Sequence, residues 1–411
     1  MHFNQQKSSP DLKFDVAAPR GWSYAAGDTI IGNLVRHNPV VTPDAEITLV
    51  LTGRIKSKVV KSNGNNGTSV FRDEYQLFNS RPQVLYRGPL HLPEGSDQTL
   101  DWPFEVNIPT EPAASMRQNH QQRASFLPLM QDHPAHHVLP GSFFCAPNLA
   151  RGSQCKVEYA LKATLRYKFG GDHVCKAVWP IDVRGPMSEC PNRYEVKAIK
   201  AQNLVRSQRL LPGMKDAELS FGQGIKKFFG TSSVPELFYY VELTMPLVIQ
   251  LGDSQPLPVS LLITPWREPT TDVIKDVPQE FKINWIKLAI RQCTEFRAPS
   301  RAWHSYRDHV EANSLDTGLV KLFTNMESPL TISTGKGNEP VHLGNTFQLT
   351  FSSRGLSSGT RLLTVGGKIT PEFTTYCIKH TNFQEWQVSI TVAGEIRVHK
   401  FQSPVKIIDG P

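Results

Sequence analysis

The chain has 411 residues, more than one ordinary core holds and enough for two domains of about 150 to 200 residues each. Its 39% hydrophobic and 20% charged residues are those of a globular chain, and no apolar run nears the ~18 residues of a membrane span, so an integral membrane protein is not expected. A net charge of +8 favours acidic partners such as phosphorylated tails, anionic lipid or nucleic acid, and serves simple solubility equally well.

The opening MHFNQQKSSP lacks the apolar stretch of an export signal, which makes a cytoplasmic chain the expectation. Leu12, Phe14 and Val16 then alternate with Lys13 and Asp15, predicting a strand buried on one face. Ala26-Gly27-Asp28 reads as a turn into a second strand, Thr29 to Val35, with Gly32 as a bulge or close-approach point. Pro39 to Asp44 reads as a connection, and the strands on either side of it as a hairpin-like pair. Beyond it, Ile47, Leu49, Leu51, Ile55 and Val59 occupy odd positions while Thr48, Thr52, Arg54, Lys56 and Lys58 occupy even ones. That is the period of a strand with an odd core face and an even, wet and basic face.

Lys61 to Thr68, KSNGNNGT, is a polar loop, and Phe71 to Tyr86 holds another short strand. Trp102, Phe104, Val106 and Ile108 alternate with polar residues, and Pro103 places that strand at a sheet edge or makes it a strand's beginning. The clearest two-residue period runs through Val157, Tyr159, Leu161, Ala163, Leu165 and Tyr167, predicting Tyr159 and Leu161 buried and Lys162 and Arg166 exposed. Ala177 to Val183 is expected to pair with it across the Gly170-Gly171 turn, and the first domain, residues 1–186, to close at Arg184-Gly185-Pro186. Residues 187–234 read as a basic interdomain connection, carrying Lys197, Lys200, Arg206, Arg209, Lys215, Lys226 and Lys227 against Glu195, Asp216 and Glu218. Strand patterning returns within 235–411 at Phe238 to Leu251, Leu257 to Ile263, Phe281 to Ile290, Thr346 to Phe351, Gln387 to Val392 and Glu395 to Ile408. Trp303 to Leu322 reads as one helix or a long loop, and no short repeat is present.

Several motifs carry chemistry on paper. Gly355-Leu356-Ser357-Ser358-Gly359 has the G-x-S-x-G pattern of a hydrolase elbow, but the RLLTVGGKIT that follows reads as a strand and not as the helix an elbow requires. A hairpin turn is the expectation there, and a hydrolase using Ser357 the minor alternative. Gly366-Gly367-Lys368 lacks the earlier glycine and the following hydroxyl of a phosphate loop. His133, His136 and His137 with Asp132 are suitable metal ligands without a patterned fourth, so a solvated loop is expected, and His309-Val310-Glu311 lacks the P-C-x-x-C of a zinc deaminase. Six cysteines without Cys-x-x-Cys spacing are expected as free thiols, and neither catalytic residues, cofactor nor metal are assigned. Arg54, Lys56 and Lys58, about 7 Å apart along one face, can read phosphates by charge-assisted hydrogen bonds or simply face water, and Lys61 is grouped with them. Nucleic acid is not expected, for want of an aromatic platform or helix-turn-helix. Phe221, Ile225, Phe228 and Phe229 with Lys226 and Lys227 form the stripe of a short amphipathic helix that packs on a sandwich or lies on an anionic membrane.

The order Tyr24-x-x-Gly27-Asp28-x-x-x-Gly32, the apolar strand running to Gly53, LDWPFEVNIP, LPGSFF at Leu139 to Phe144 and Val157-x-Tyr159-x-Leu161-x-Ala163 together resemble the N-terminal domain of arrestins, notably the fungal α-arrestin branch. The strands from Leu237 to Ile408, including TTYCIKHTNFQEWQVSITVAG, resemble the arrestin C-terminal domain. Against that family, Thr110 to Val138 is an inserted surface loop. The resemblance implies an all-β fold of two immunoglobulin-like sandwiches in tandem and a non-enzymatic adaptor in endocytosis and protein sorting. It implies cytoplasmic location with transient association with the plasma membrane or endosomes, and phosphorylated tails of membrane cargo received on a basic sheet face, for which Arg54, Lys56 and Lys58 are the candidates. A peripheral lipid-binding protein is the alternative. Many α-arrestins recruit WW-domain ubiquitin ligases through Pro-Pro-x-Tyr. This sequence has no adjacent prolines and only Pro191-Asn192-Arg193-Tyr194 near the pattern, and it stops at Pro411 just past the last strand, so coupling to ubiquitin machinery is expected to be indirect.

Overall fold

A computed structural model describes residues 7–8, 11–19, 21–64, 67–113, 125–128, 133–146, 152–168, 170–186, 195–214, 234–300, 306–335, 339–364 and 366–410. Over these residues the fold is nearly all β, built from several mostly antiparallel sheets, and its α-helices are single turns at Val320–Thr324 and Leu343–Thr346. Two compact units emerge. The first takes Met1–Pro186 with Thr294–Glu311 and Phe373–His380, and the second takes Met187–Cys293, Ala312–Glu372 and Thr381–Pro411.

The first unit begins with β1 (Lys7–Ser8), β2 (Lys13–Val16), β3 (Thr29–Arg36), β4 (Val40–Ser62), β5 (Thr68–Gln76), β6 (Gln83–Leu92) and β7 (Leu100–Asn107). It continues with β8 (Phe143–Cys145), β9 (Gln154–Lys168) and β10 (Asp172–Ile181). Strands β2, β3 and β7 form one sheet. The larger sheet runs β1-β10-β9-β4-β5, with β6 pairing β4 and β8 pairing β9. Alternation along β3, β4, β7 and β9 gives each sheet an apolar face, and the two faces share one core: Phe14, Ile30, Leu34 and Phe104 lie with Ile47, Leu49, Val157 and Leu161.

The hairpin-like pairing of the strands around Pro39 is corrected by this topology. β3 pairs with β2 and β7, whereas β4 pairs with β5, β6 and β9, so the chain crosses between sheets there. Arg36, 2% exposed, holds the crossing: its guanidinium donates to Asp11 O at 3.3 Å and Pro39 O at 3.2 Å. The connection is also shorter than expected. β4 starts at Val40, and a register irregularity between Thr42 and Ala45 absorbs Pro43, which has no amide to give to the ladder. Gly32 is a close approach and not a bulge, since it keeps regular partners while a Cβ there would lie 2.4 Å from Asp15 O and 3.0 Å from Phe104 Cζ. Pro103 stands on β7, an edge strand.

Some of the described residues within 110–138 are less superficial than an inserted surface loop. Phe126 N donates to Tyr376 O, Leu127 and His136 are buried, and His136 Nε2 lies 2.6 Å from Pro128 O.

The second unit contains β11 (Val196–Arg206), β12 (Glu236–Pro246), β13 (Val248–Gln250), β14 (Ser260–Pro265) and β15 (Glu280–Pro299). Next come β16 (Tyr306–Asp316), β17 (Leu330–Ser333), β18 (Leu349–Ser352), β19 (Gly355–Ser358) and β20 (Arg361–Leu362). β21 (Phe373–Thr374), β22 (Ile378–Val392) and β23 (Glu395–Ile408) close the order. The ends of β15 and β22, the first half of β16 and all of β21 belong to the first unit. One core gathers Leu237, Tyr239, Phe281, Ile286, Trp386 and Phe401. Two expectations change here. The basic connection contains β11, a full ladder partner of β12 in which Lys200 pairs with Glu242 at 3.0 Å and Arg206 with Glu236 at 2.7 Å. Trp303 to Leu322 holds strand β16, followed by a short helix from Val320.

Gly53 lies on the core face of β4, where Phe78 and Tyr159 stack at 6.3 Å and a Cβ would come within 2.6 Å of Phe78 Cε1 and 2.9 Å of Tyr159 Cδ1. Gly53→Ala is expected to cost about 1–3 kcal/mol by overpacking. Denaturant unfolding checks this; a midpoint equal to wild type contradicts it.

Candidate functional site

The even face of β4 is read through its neighbours. Antiparallel pairing puts Gln76, Glu74 and Arg72 of β5 opposite Arg54, Lys56 and Lys58, and Glu158, Lys156 and Gln154 of β9 opposite the same three. Directly paired residues share a face, so six cations, counting Lys162 opposite Val50, surround two carboxylates, Glu74 and Glu158. The positions on β4 and β9 follow from alternation whose other face is core: Ile55, Val59, Val157, Tyr159 and Leu161 are buried, while the other face of β5 is half-buried.

Glu158 is the centre. Its side chain is 14% exposed, less than those around it, and it accepts from Arg54 Nε, from Lys156 Nζ at 2.5 Å, and is 3.7 Å from Lys56 Nζ. Burial works to raise its carboxyl, but the hydrogen bonds and charges of Lys156 and Arg54 outweigh this and hold it below the usual range. Glu74, more exposed, bridges Arg54 and Lys56, each at 3.3 Å. Lys162 is half-buried, and its ammonium is depressed by burial and then by the nearby positive charge of Arg54, with Glu158 opposing. Lys58, Arg72 and Lys162 have no ion-pair partner among the described residues. Among the described residues the arrangement thus has a self-paired centre at Arg54 and Lys56 with cations lacking a carboxylate partner around it.

The sequence-predicted residues distribute unevenly. Arg54, Lys56 and Lys58 are brought together, half-buried on one face. Lys61 is not with them: it is the odd-numbered partner of Ser69, exposed at the end of β4 on the side that carries Val59. Phe221, Ile225, Lys226, Lys227, Phe228 and Phe229 lie outside the described residues. Tyr159 and Leu161 are buried and Arg166 exposed, while Lys162 is half-buried, near enough to Arg54 and Lys56 to feel their charge. Glu74, Lys156 and Glu158 are missed by sequence reasoning as site residues. Their alternation was visible, but their meeting depends on the register of β4 with both β5 and β9, the latter about a hundred residues away.

Other motifs resolve locally. Ser357 sits inside β19, paired with Thr350 and Leu362, so strand runs through the elbow pattern where a strand-to-helix turn is required. His136 contacts Pro128 O and His137 Nδ1 lies 2.8 Å from Glu111, while Asp132 is outside the described residues; among those described no cluster could hold a metal ion. Beside Glu158, a cleft of about 390 Å³ is lined by Trp22, Tyr24, Trp179, Pro180 and Asp182. No described helix is long and apolar enough to cross a membrane. No protein-family model matches the chain, and no curated protein matches it.

The depressed carboxyl of Glu158 fixes a pH dependence. Its stabilising contribution is present above the unfolded carboxylate range and is lost as pH falls through its lower folded value. Glu158→Gln is therefore expected to destabilise the protein by about 1–2 kcal/mol near pH 7, where Arg54, Lys56 and Lys156 lose their shared counter-charge. The difference from wild type should shrink toward zero in acid. Thermal melts across pH check it, and a gap that persists or widens at low pH contradicts it.

Proposed function

We propose that this chain is a non-enzymatic adaptor that receives acidic, phosphorylated cytoplasmic tails of membrane-protein cargo on the even face of β4, β5 and β9. The observation that carries the reading is the cation surplus on that face, with Lys58, Arg72 and Lys162 lacking an ion-pair partner among the described residues around the Glu158 centre. Lysine and arginine donors at strand spacing suit phosphate oxygens, and an extended tail lying along the sheet would meet several of them in succession. The arrestin-like order of motifs supports the same reading, and with it a tandem of immunoglobulin-like sandwiches, a role in endocytosis and sorting, and transient work at the plasma membrane or endosomes. Coupling to ubiquitin-ligase machinery would then run through another protein.

Replacing Arg54, Lys56 and Lys58 together by Gln is expected to weaken binding to a phosphorylated peptide at least tenfold and flatten its dependence on salt. Fluorescence anisotropy against phosphorylated and unphosphorylated forms of one acidic peptide reads this directly. Equal binding by wild type and variant at every salt concentration removes the face from the mechanism.

Direct binding to WW domains is not expected, because a docking Pro-Pro-x-Tyr turn is missing from the sequence and Pro191-Asn192-Arg193-Tyr194 lacks the second proline. Titration against an array of isolated WW domains should show no saturable binding. Micromolar binding abolished by Tyr194→Ala would overturn this.

A further inference from the structure

The core side of the same sheet holds a group of thiols that the charged face does not use. Cys145 of β8 stands directly opposite Cys155 of β9, and Cys155 in turn stands opposite Ser57 of β4. Ser57 donates its hydroxyl to Arg297 O at 2.6 Å, and the Arg297 amide donates to Cys377 O at 3.1 Å. All three cysteines are free, and they differ in access. Cys155 and Cys377 are 0% exposed, whereas Cys145 is half-buried.

Residues directly opposite in an antiparallel pair have Cα atoms about 4.5–5.5 Å apart, within the roughly 4.4–6.8 Å over which a disulfide closes without backbone movement. Each thiol perturbs the other. Interaction with Cys155 lowers the Cys145 thiol; burial opposes it, and interaction with Thr294 assists it. Burial pushes the Cys155 thiol up, and its interaction with Cys145 pushes it further. One sulfur is thus reachable and closer to its nucleophilic thiolate form, and the other is enclosed, protonated and adjacent.

We propose that Cys145 and Cys155 form a peroxide-oxidisable dithiol whose product is a cross-strand disulfide between β8 and β9. The Cys145 thiolate attacks one oxygen of hydrogen peroxide and the O–O bond breaks. The departing hydroxide takes a proton and leaves as water, and Cys145 becomes a sulfenic acid. The Cys155 sulfur then attacks the Cys145 sulfur and expels its hydroxyl, which leaves as a second water with the proton that Cys155 gives up. Two thiols are oxidised and one peroxide is reduced to two waters. Cys377 takes no part, since it is enclosed and burial holds its thiol protonated. The bond ties the three-residue strand β8 to β9 at the residue next to Lys156, so the redox state of the pair bears on the strand that carries Lys156, Glu158 and Lys162 of the charged face.

The test uses the full chain, reduced and then treated with a small molar excess of hydrogen peroxide. Remaining thiols are blocked with iodoacetamide, and the protein is digested without reductant and mapped by mass spectrometry. The expected result is a linked pair of peptides carrying Cys145 and Cys155 that disappears on addition of dithiothreitol. Cys145→Ser should abolish it, and Cys155→Ser should leave Cys145 as a sulfenic acid that dimedone captures. The proposal is overturned if Cys145 proceeds to sulfinic acid while Cys155 remains alkylated. It is equally overturned if Cys155 links to Cys377, if the bond joins two copies of the chain, or if Cys145 stays reduced while other thiols oxidise. The wild-type map alone decides among these outcomes, so the test stands even where a serine variant folds poorly.

Discussion

The antiparallel pairing of β4 with β9, from Ala45 opposite Tyr167 to Lys58 opposite Gln154, is the constraint on which the rest of the first unit depends. Side chains alternate with a period of two, so a slip of one residue in this ladder would turn Ile47, Leu49, Val157 and Leu161 toward water and bring the lysines into the core. The burial of those residues holds the register. Everything on the opposite face is then placed as a consequence: Arg54 beside Glu158, Lys56 beside Lys156, and Ser57 beside Cys155 behind them.

The charged face shows how a sheet tolerates crowded like charge. Lys56 and Lys156 stand directly opposite, a pairing that costs free energy between like charges. The nearby carboxylates of Glu158 and Glu74 offset it by sharing themselves among Arg54, Lys56 and Lys156. Because Glu158 is nearly enclosed, it neutralises the centre without cancelling the surplus around it, where Lys58, Arg72 and Lys162 have no carboxylate partner among the described residues. A ligand that brings several negative charges along a strand direction would gain from that outer ring and would compete with Glu158 for the inner one.

Much of this was legible in the sequence, and the failures have physical causes. Alternation through Ile47 to Val59 and Val157 to Tyr167 predicted which face is core, because a half-buried strand writes its burial at every second residue. Alternation does not say which strands are neighbours, so the hairpin expected around Pro39 became a crossing between sheets, with Arg36 tied to Pro39 O where a turn was anticipated. β16 went unread because most of it, including Arg307, Asp308, Glu311 and Ser314, faces solvent or is only half-buried, leaving no apolar period to detect. Lys61 was grouped with Arg54 by composition and nearness in sequence, although its odd number already placed it across the sheet. The partners of Arg54 and Lys56 come from β5 and β9, and the sequence carries no local signal of that meeting.

The central claim is that acidic ligands lie on the even face of β4, β5 and β9, and lysine footprinting tests it most directly. The protein is acetylated briefly with and without a saturating phosphorylated acidic peptide, and the modification of each lysine is quantified by mass spectrometry. The account predicts that Lys58, Lys156 and Lys162 become protected together while Lys61, across the sheet, reacts as before. Unchanged acetylation of those three under saturation, with protection appearing elsewhere, would contradict it.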